Sequence, residues 1–195
     1  MGSAIKKENR QVKEGSEHLS GQLHRLILGD ETPDQYTLFT FYINLFFWFC
    51  FFIWSLASWL TLYYRKLISD QKDIAVEDII DSRGTALGFE PGEFISRLET
   101  ALLLDLLIFS FVFIGLILIY RKKLNFIYFV VGGILLHIGL QLFYIGFNYF
   151  SEDVTLFDKT GLLAMLASSI MYYFLLKREK SGGSISFFDE EEAVE

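Results

Sequence analysis

Four apolar stretches dominate the sequence, and each is long enough to cross a lipid bilayer. A helix needs about 20 apolar residues to span the hydrocarbon core, because each residue advances it by about 1.5 Å. The composition agrees, since 52% of the residues are hydrophobic and the mean hydropathy is +0.37. We therefore predict an all-α integral membrane protein with four transmembrane helices in a bundle. The predicted spans are residues 36–64, 101–120, 124–150 and 154–176.

The segments outside the spans carry patterns of their own. Residues 1–35 form a polar tail with leucines at helical spacing between positions 19 and 27, which predicts an amphipathic segment. In the first loop, "DIAVEDIIDSRG" predicts a short helix that ends at Gly84, and Pro91 suits the start of the helix that enters the second span. Residues 177–195 change from basic to glycine- and serine-rich to acidic, which predicts a disordered acidic tail.

The charges exclude one class of partner and suggest an orientation. A net charge of -7 without a concentrated basic surface argues against nucleic-acid binding. Eleven of the 17 Lys and Arg residues lie in the two tails and in the tight hairpin Arg121–Lys123, and six lie on the opposite side. Short cytoplasmic segments favour Lys and Arg, so we expect both termini in the cytoplasm or its organellar equivalent.

The third span carries an unusual polar stripe. His137, Gln141, Tyr144 and Asn148 follow one another at i, i+4, i+7 and i+11, which places them along one helical face. Polar groups in hydrocarbon must find partners, so we expect this helix to be enclosed by its neighbours.

Asp105 in the second span is the natural partner for that stripe. If the chain turns around Lys122, Asp105 and His137 lie within about 3 Å of each other in depth, at 1.5 Å per residue. An intramembrane acid is costly unless it is paired, so we name Asp105, His137 and Gln141 as a candidate proton-handling or ligand-anchoring site. The alternative is that Asp105, only five residues into its span, extends toward the outer interface.

Small residues predict where helices approach one another. In the third span, glycines recur every seven residues on the face opposite His137, and small residues line one side of the fourth span. The candidate helix-packing residues are Gly132, Gly139, Gly146, Gly161, Ala164 and Ser168.

The first span contains 14 aromatic residues in 29, with Trp48 and Trp54 near its middle. These indoles must face lipid tails or another protein surface, such as a neighbouring subunit, a pigment or a quinone. Ser55 and Ser58 form a small polar patch farther along the same span. We predict no resident cofactor, although a bound lipid or quinone would suit the aromatic surface.

Motifs that would assign an enzymatic activity are missing. The sequence has no CxxC, HExxH or glycine-rich phosphate loop, its only cysteine is Cys50, and only one histidine lies in a span. We therefore predict no catalytic residues and no metal site, and we favour a non-catalytic role.

The acidic end of the chain holds a candidate docking peptide. In "SFFDEEE", Phe187, Phe188 and Asp189 resemble the core of the motif of two phenylalanines in an acidic tract that tethers eukaryotic membrane proteins at endoplasmic reticulum contact sites. Ser186 and Glu190 depart from that motif. The resemblance implies a soluble partner, whereas a solubilising tail or a generic docking peptide is the alternative.

Three functional hypotheses remain open at this level. The first is an accessory or assembly subunit of a larger membrane complex, with lipid and other membrane-protein subunits as partners, because helix-contact surfaces are present and catalytic motifs are not. The second is a transport or proton-conduction component that uses Asp105 and His137. The third is a membrane enzyme or a quinone- or lipid-binding protein.

Overall fold

The computed structural model of the chain describes residues 33–72 and 76–182. The amphipathic segment predicted between positions 19 and 27 lies outside the described residues, as do Phe187, Phe188 and Asp189 of the candidate docking peptide. The described residues are helical with no strand among them, so the all-α prediction is confirmed for this part of the chain. In chain order, the elements are α1 (Gln35–Tyr63), α2 (Arg65–Lys72), α3 (Val76–Ala86), α4 (Glu93–Tyr120), α5 (Phe126–Gly139), a π-helical segment (Leu140–Ile145), α6 (Phe147–Glu152) and α7 (Leu156–Lys180).

Four of these helices are long and apolar enough to cross a membrane: α1, α4, α7, and α5 continued by the π-helical segment. Helix α4 packs against α1 and α5, and α7 packs against the same two helices, so each long helix has two long neighbours. The side chains between them form a buried apolar core. Its fully buried members include Phe109, Val112, Leu116, Ile119, Phe126, Val130, Ile134 and Met165.

Hydrogen bonds between polar side chains join α1 to α7. The hydroxyl groups of Thr37 and Tyr172 lie 2.7 Å apart. Farther along the two helices, the Asn44 amide donates to Ser168 Oγ at 3.0 Å and accepts from Ser169 Oγ at 3.1 Å. Because Thr37, Asn44 and Ser169 are buried, these bonds satisfy groups that would otherwise be stranded among apolar side chains.

The second and third spans differ from their predicted bounds. Helix α4 begins at Glu93, eight residues before the predicted start, so Asp105 lies twelve residues inside a continuous helix. The predicted third span, residues 124–150, is not one regular helix. Its α-helical part ends at Gly139, the π-helical segment follows, and Gly146 with φ 128° breaks the helix before α6.

The predicted helix in the first loop is present, but it ends at Ala86 and not at Gly84. Gly84 lies inside α3, where a Cβ atom would come within 2.5 Å of Phe94 Cβ. The chain leaves α3 through Gly88, whose φ of 96° suits a residue without a side chain. Gly84 therefore serves the packing of α3 against α4 and does not cap the helix.

The predicted glycine face of the third span meets no other helix among the described residues. A Cβ atom at Gly132 or Gly139 would have no neighbour within 4 Å in the described part of the chain, whereas one at Gly133 would lie 2.5 Å from Val112 Cγ2. Gly132 and Gly133 differ because each successive residue is rotated by about 100° around the helix axis. Gly133, next in sequence to Gly132, faces α4, and Gly115 of α4 meets Val130 in the same way.

In α7, the predicted small residues do lie near α1. A Cβ atom at Gly161 would come within 2.6 Å of Phe47 Cδ1 and 2.8 Å of Phe51 Cζ. Ser168 contacts Asn44, and Ala164 lies partly buried between Gly161 and Ser168 in the sequence. Gly146 has a conformational role instead, because its φ is one that other residues rarely adopt.

We call the end of the four long helices that holds Arg121–Lys123 the hairpin end, and the end that holds residues 64–72, 76–92 and 153–155 the loop end. At the hairpin end, Lys122 Nζ lies 2.6 Å from Asp34 Oδ2 and 3.5 Å from Glu179 Oε1. The Lys122 side chain, just after α4, therefore links the start of α1 to the end of α7. Asp34 also caps α1, since its side chain accepts from Thr37 N at 2.7 Å.

These contacts shift the pKa values of both Asp34 and Lys122. Burial alone would raise the pKa of Asp34, but hydrogen bonds from Lys122 and Thr37 hold that pKa below its ordinary value. The hydrogen bond to Asp34 raises the pKa of Lys122. Asp34 therefore stabilises the fold while it is ionised, and this contribution is lost as the pH falls through its lowered folded-state pKa.

Replacing Asp34 separates its capping role from its charge. Asp34→Asn keeps an oxygen acceptor for Thr37 N, whereas Asp34→Ala removes it, so the Ala variant should lose about 1 kcal/mol more stability. Thermal unfolding in detergent micelles at several pH values measures both effects. The stability difference between wild type and Asp34→Asn should shrink below about pH 3.8, the ordinary pKa of the group. A pH-independent difference would show that the ion pair contributes nothing.

The adjacent glycines of α5 provide a matched test of the packing. Gly133→Ala would force a methyl group against Val112 and should destabilise the protein by about 1–3 kcal/mol. Gly132→Ala fills open space and should stabilise it by about 0.5–1 kcal/mol through helix propensity. Denaturant unfolding in micelles measures both, and equal effects at the two positions would contradict the described orientation of α5.

Candidate functional site

A buried acid and a histidine face each other between α4 and α5. His137 Nδ1 and Asp105 Oδ1 lie 2.6 Å apart, and the two side chains are only 7% and 6% exposed. The tight hairpin after α4 brings them to similar depth, and burial on both helices turns them toward each other. Asp105 therefore does not extend to the surface, which was the alternative left open by the sequence.

Gln141 extends this contact into a chain of three side chains. Its Nε2 lies 3.0 Å from His137 Nε2, so the amide donates and His137 Nε2 accepts. His137 then carries its proton on Nδ1 and donates it to Asp105. In this arrangement, Gln141 Oε1 is buried and has no hydrogen-bond partner among the described residues. The series of three hydrogen-bonded side chains thus ends at Gln141 Oε1, an acceptor that no described group uses.

The other two members of the predicted stripe lie elsewhere. Tyr144 is 37% exposed, and its carbonyl oxygen accepts from Arg97 Nη1 at 2.9 Å. The Asn148 amide lies 3.5 Å from the carbonyl oxygen of Leu87. The wider turns of the π-helical segment and the break at Gly146 rotate these residues away, because the spacing assumed a regular α-helix throughout.

A cavity of about 440 Å³ leads from this chain of side chains to the loop end. Asp105, His137 and Gln141 line its inner part, and Asp153, Thr155 and Asp158 line it near the loop end. The polar patch of Ser55 and Ser58 in α1 also faces the cavity. The apolar core lies on the hairpin side of Asp105 and His137. The other polar residues that line the cavity therefore lie toward the loop end. The buried residues that close the hairpin side include Val112, Leu116 and Ile134.

The walls of the cavity combine aromatic rings with acids. The aromatic lining residues are Phe51, Trp54, Phe109 and Tyr149. Asp105, Asp153 and Asp158 supply carboxyl groups, and none of the described lining residues is Lys or Arg. The described residues contain no group of three acids, histidines or cysteines that is suited to hold a metal ion. The described lining therefore combines carboxyl groups with apolar and aromatic side chains.

The two central tryptophans have different surroundings. Trp48 Nε1 donates to the carbonyl oxygen of Phe109 at 2.7 Å, so this indole joins α1 to α4 within the protein. Trp54 is 69% exposed and also lines the cavity. The sequence revealed the aromatic surface but not this division, which depends on the rotation of α1 against α4.

An ion pair ties the first loop to the cavity rim. Arg83 of α3 binds Asp153 through Nη2 and Nε at 2.8 and 3.0 Å, and it binds Glu152 at 3.0 Å. Asp153 is itself a lining residue. Sequence reasoning missed this link, because two residues 70 positions apart provide no periodic signal.

Comparisons of the chain with protein-family models, with curated proteins and with solved structures found no match. The functional argument therefore rests on the geometry of the site.

The coupling between Asp105 and His137 can be measured directly. Asp105→Ala would leave the buried His137 Nδ1 unpaired and should cost about 1–3 kcal/mol of stability. Removing both groups with Asp105→Ala/His137→Phe should cost less than the sum of the single changes, by about 0.5–3 kcal/mol. Ser110→Ala is the control on α4, since this exposed hydroxyl bonds only to its own helix and should have an effect within about 0.5 kcal/mol. Unfolding in micelles provides all four values, and strict additivity would contradict the pairing.

Proposed function

We propose that the chain is an integral membrane protein that crosses the bilayer four times, through α1, α4, α5 with the π-helical segment, and α7. Their length and apolar composition support this arrangement. The basic residues of the hairpin Arg121–Lys123 and of the end of α7 lie together at the hairpin end, which supports a cytoplasmic location for that end.

Within this arrangement, the chain acts as a binding protein for a small organic ligand. The observation that carries the proposal is the cavity that ends at Asp105, His137 and Gln141, whose Oε1 has no hydrogen-bond partner in the described part of the chain. Placing an acid, an imidazole and an amide in an apolar bundle is costly, so such groups mark functional sites in membrane proteins. A concave, largely apolar space with a few converging polar groups is the usual form of a ligand site.

The same geometry favours binding over conduction. A proton or solute path must continue past Asp105 and His137 to the hairpin end, but tightly packed apolar side chains occupy that space. Val112, Leu116, Ile119 and Ile134 are all fully buried there. Among the described residues, no polar path leads from the site to the hairpin end, so the transport hypothesis would require a second arrangement of the helices.

The subunit hypothesis is a second proposal, and one observation favours it. Gly132 and Gly139 leave open space on the outward face of α5, beside the exposed Leu135 and Leu136. Glycines at such positions allow a neighbouring backbone to approach closely. Purification in mild detergent from the native source, with wild type and Gly132→Leu, tests this hypothesis. A stoichiometric partner that is lost from the variant supports the hypothesis, and a lone monomer contradicts it.

Native mass spectrometry of the gently extracted full chain tests the binding proposal. Wild type should carry a bound non-protein mass, and Ser58→Phe should lose it because the ring would fill the cavity. Ser110→Phe is the matched control, since it places the same ring on the exposed face of α4 and should retain the mass.

A thermal-shift measurement then tests wild type against a panel of cationic, neutral and anionic amphiphiles. A ligand at 100 times its Kd stabilises the folded protein by about 2.7 kcal/mol, so a bound member of the panel should raise the unfolding temperature. The proposal fails if no mass is bound and no member of the panel stabilises the protein.

A further inference from the structure

The charge of the cavity limits the ligand class. Three carboxyl groups and one imidazole line it, with no Lys or Arg among the described lining residues. Arg83 pairs with Asp153 from outside the lining, whereas the carboxyl groups of Asp105 and Asp158 line the cavity without a Lys or Arg partner among the described residues. An anionic ligand would meet these carboxyl groups, and like charges repel each other.

The hydrogen-bonding groups in the inner part of the cavity limit the ligand class further. Asp105 provides carboxylate oxygens, and Gln141 provides an acceptor that no described group uses. The ring hydrogen of His137 Nδ1 is already given to Asp105, so Asp105 and Gln141 Oε1 offer acceptors to a ligand, while Ser55 and Ser58 contribute hydroxyl groups to the same cavity. A quinone brings carbonyl acceptors and leaves Gln141 Oε1 unpartnered. A ligand with N–H donors satisfies it.

The aromatic walls point the same way. Phe109 lies against His137, with ring centroids 5.0 Å apart, at the inner part of the cavity. Phe51, Trp54 and Tyr149 line other parts of the walls. Aromatic faces attract organic cations through their quadrupole, and they pack against the apolar body of the ligand. A metal ion is not favoured, since no described group of three acids, histidines or cysteines is suited to hold one.

We infer that the cavity binds an organic ammonium ion, a primary amine with an apolar or aromatic body, whose N–H groups donate to Asp105 and to Gln141 Oε1. This inference rests on the proposed binding function and specifies its ligand class. The ammonium group lies at the inner part, beside the acceptors. The apolar body extends along the aromatic walls toward the loop end. A cavity of about 440 Å³ falls within the range of about 300–1,000 Å³ typical of small-molecule sites.

Three probes of nearly equal shape test the inference: phenethylammonium, its neutral analogue 2-phenylethanol, and the anionic 3-phenylpropanoate. Their affinities are measured by isothermal titration with the purified full chain in micelles. Phenethylammonium should bind wild type at least about tenfold more tightly than the alcohol, because a charged donor strengthens the hydrogen bonds by that amount. The carboxylate should bind most weakly.

Variants show whether the expected residues cause this preference. Asp105→Asn should bring the ammonium and the alcohol to similar affinity, and Gln141→Leu should weaken the ammonium severalfold. Ser110→Ala, outside the cavity, should leave all three affinities unchanged. If Asp105→Asn does not fold, the probe comparison in wild type and the effect of Gln141→Leu decide the question.

Each contrary result has a distinct meaning. If the alcohol or the carboxylate binds wild type as tightly as the ammonium and Ser58→Phe abolishes that binding, the ammonium inference is overturned while the binding function stands. If none of the probes binds, the ammonium inference is also overturned, and the co-purified mass in native mass spectrometry decides the binding function separately.

Discussion

The requirement that a buried acid find a partner organises the centre of this molecule. Asp105 lies buried twelve residues inside α4. An ionised carboxyl group in such a place is tolerated only if another group donates to it. His137 makes that contact, and Gln141 in turn holds the imidazole in the tautomer that the contact requires. The orientation of α5 against α4 follows from this need as much as from apolar packing.

The part of the site that could be predicted is the part set by local geometry. A tight hairpin around Lys122 fixes the relative depth of two adjacent helices, so the approach of Asp105 to His137 follows from counting residues. The fate of Tyr144 and Asn148 did not follow, because the helix changes its pitch at Leu140 and breaks at Gly146. A spacing rule assumes a constant pitch and fails beyond such a point.

The fold itself was accessible from the sequence because apolar length is a strong signal. The all-α class and four helices long enough for a membrane both follow from it. The faces used for packing were less accessible, as Gly132 and Gly133 show. Two adjacent glycines look alike in a sequence, and only the contact with Val112 distinguishes them. The cavity was beyond reach for a similar reason, since its walls come from segments far apart in the chain.

The hydrogen bonds between α1 and α7 have a mechanical consequence. Sliding α7 along α1 by one turn, about 5.4 Å, would strand the amide of Asn44 and the hydroxyl of Thr37 among hydrocarbon groups. The two helices therefore keep a fixed register and move as one rigid unit. In the four-span arrangement proposed above, such a unit would accommodate a thicker or thinner bilayer by changing its tilt.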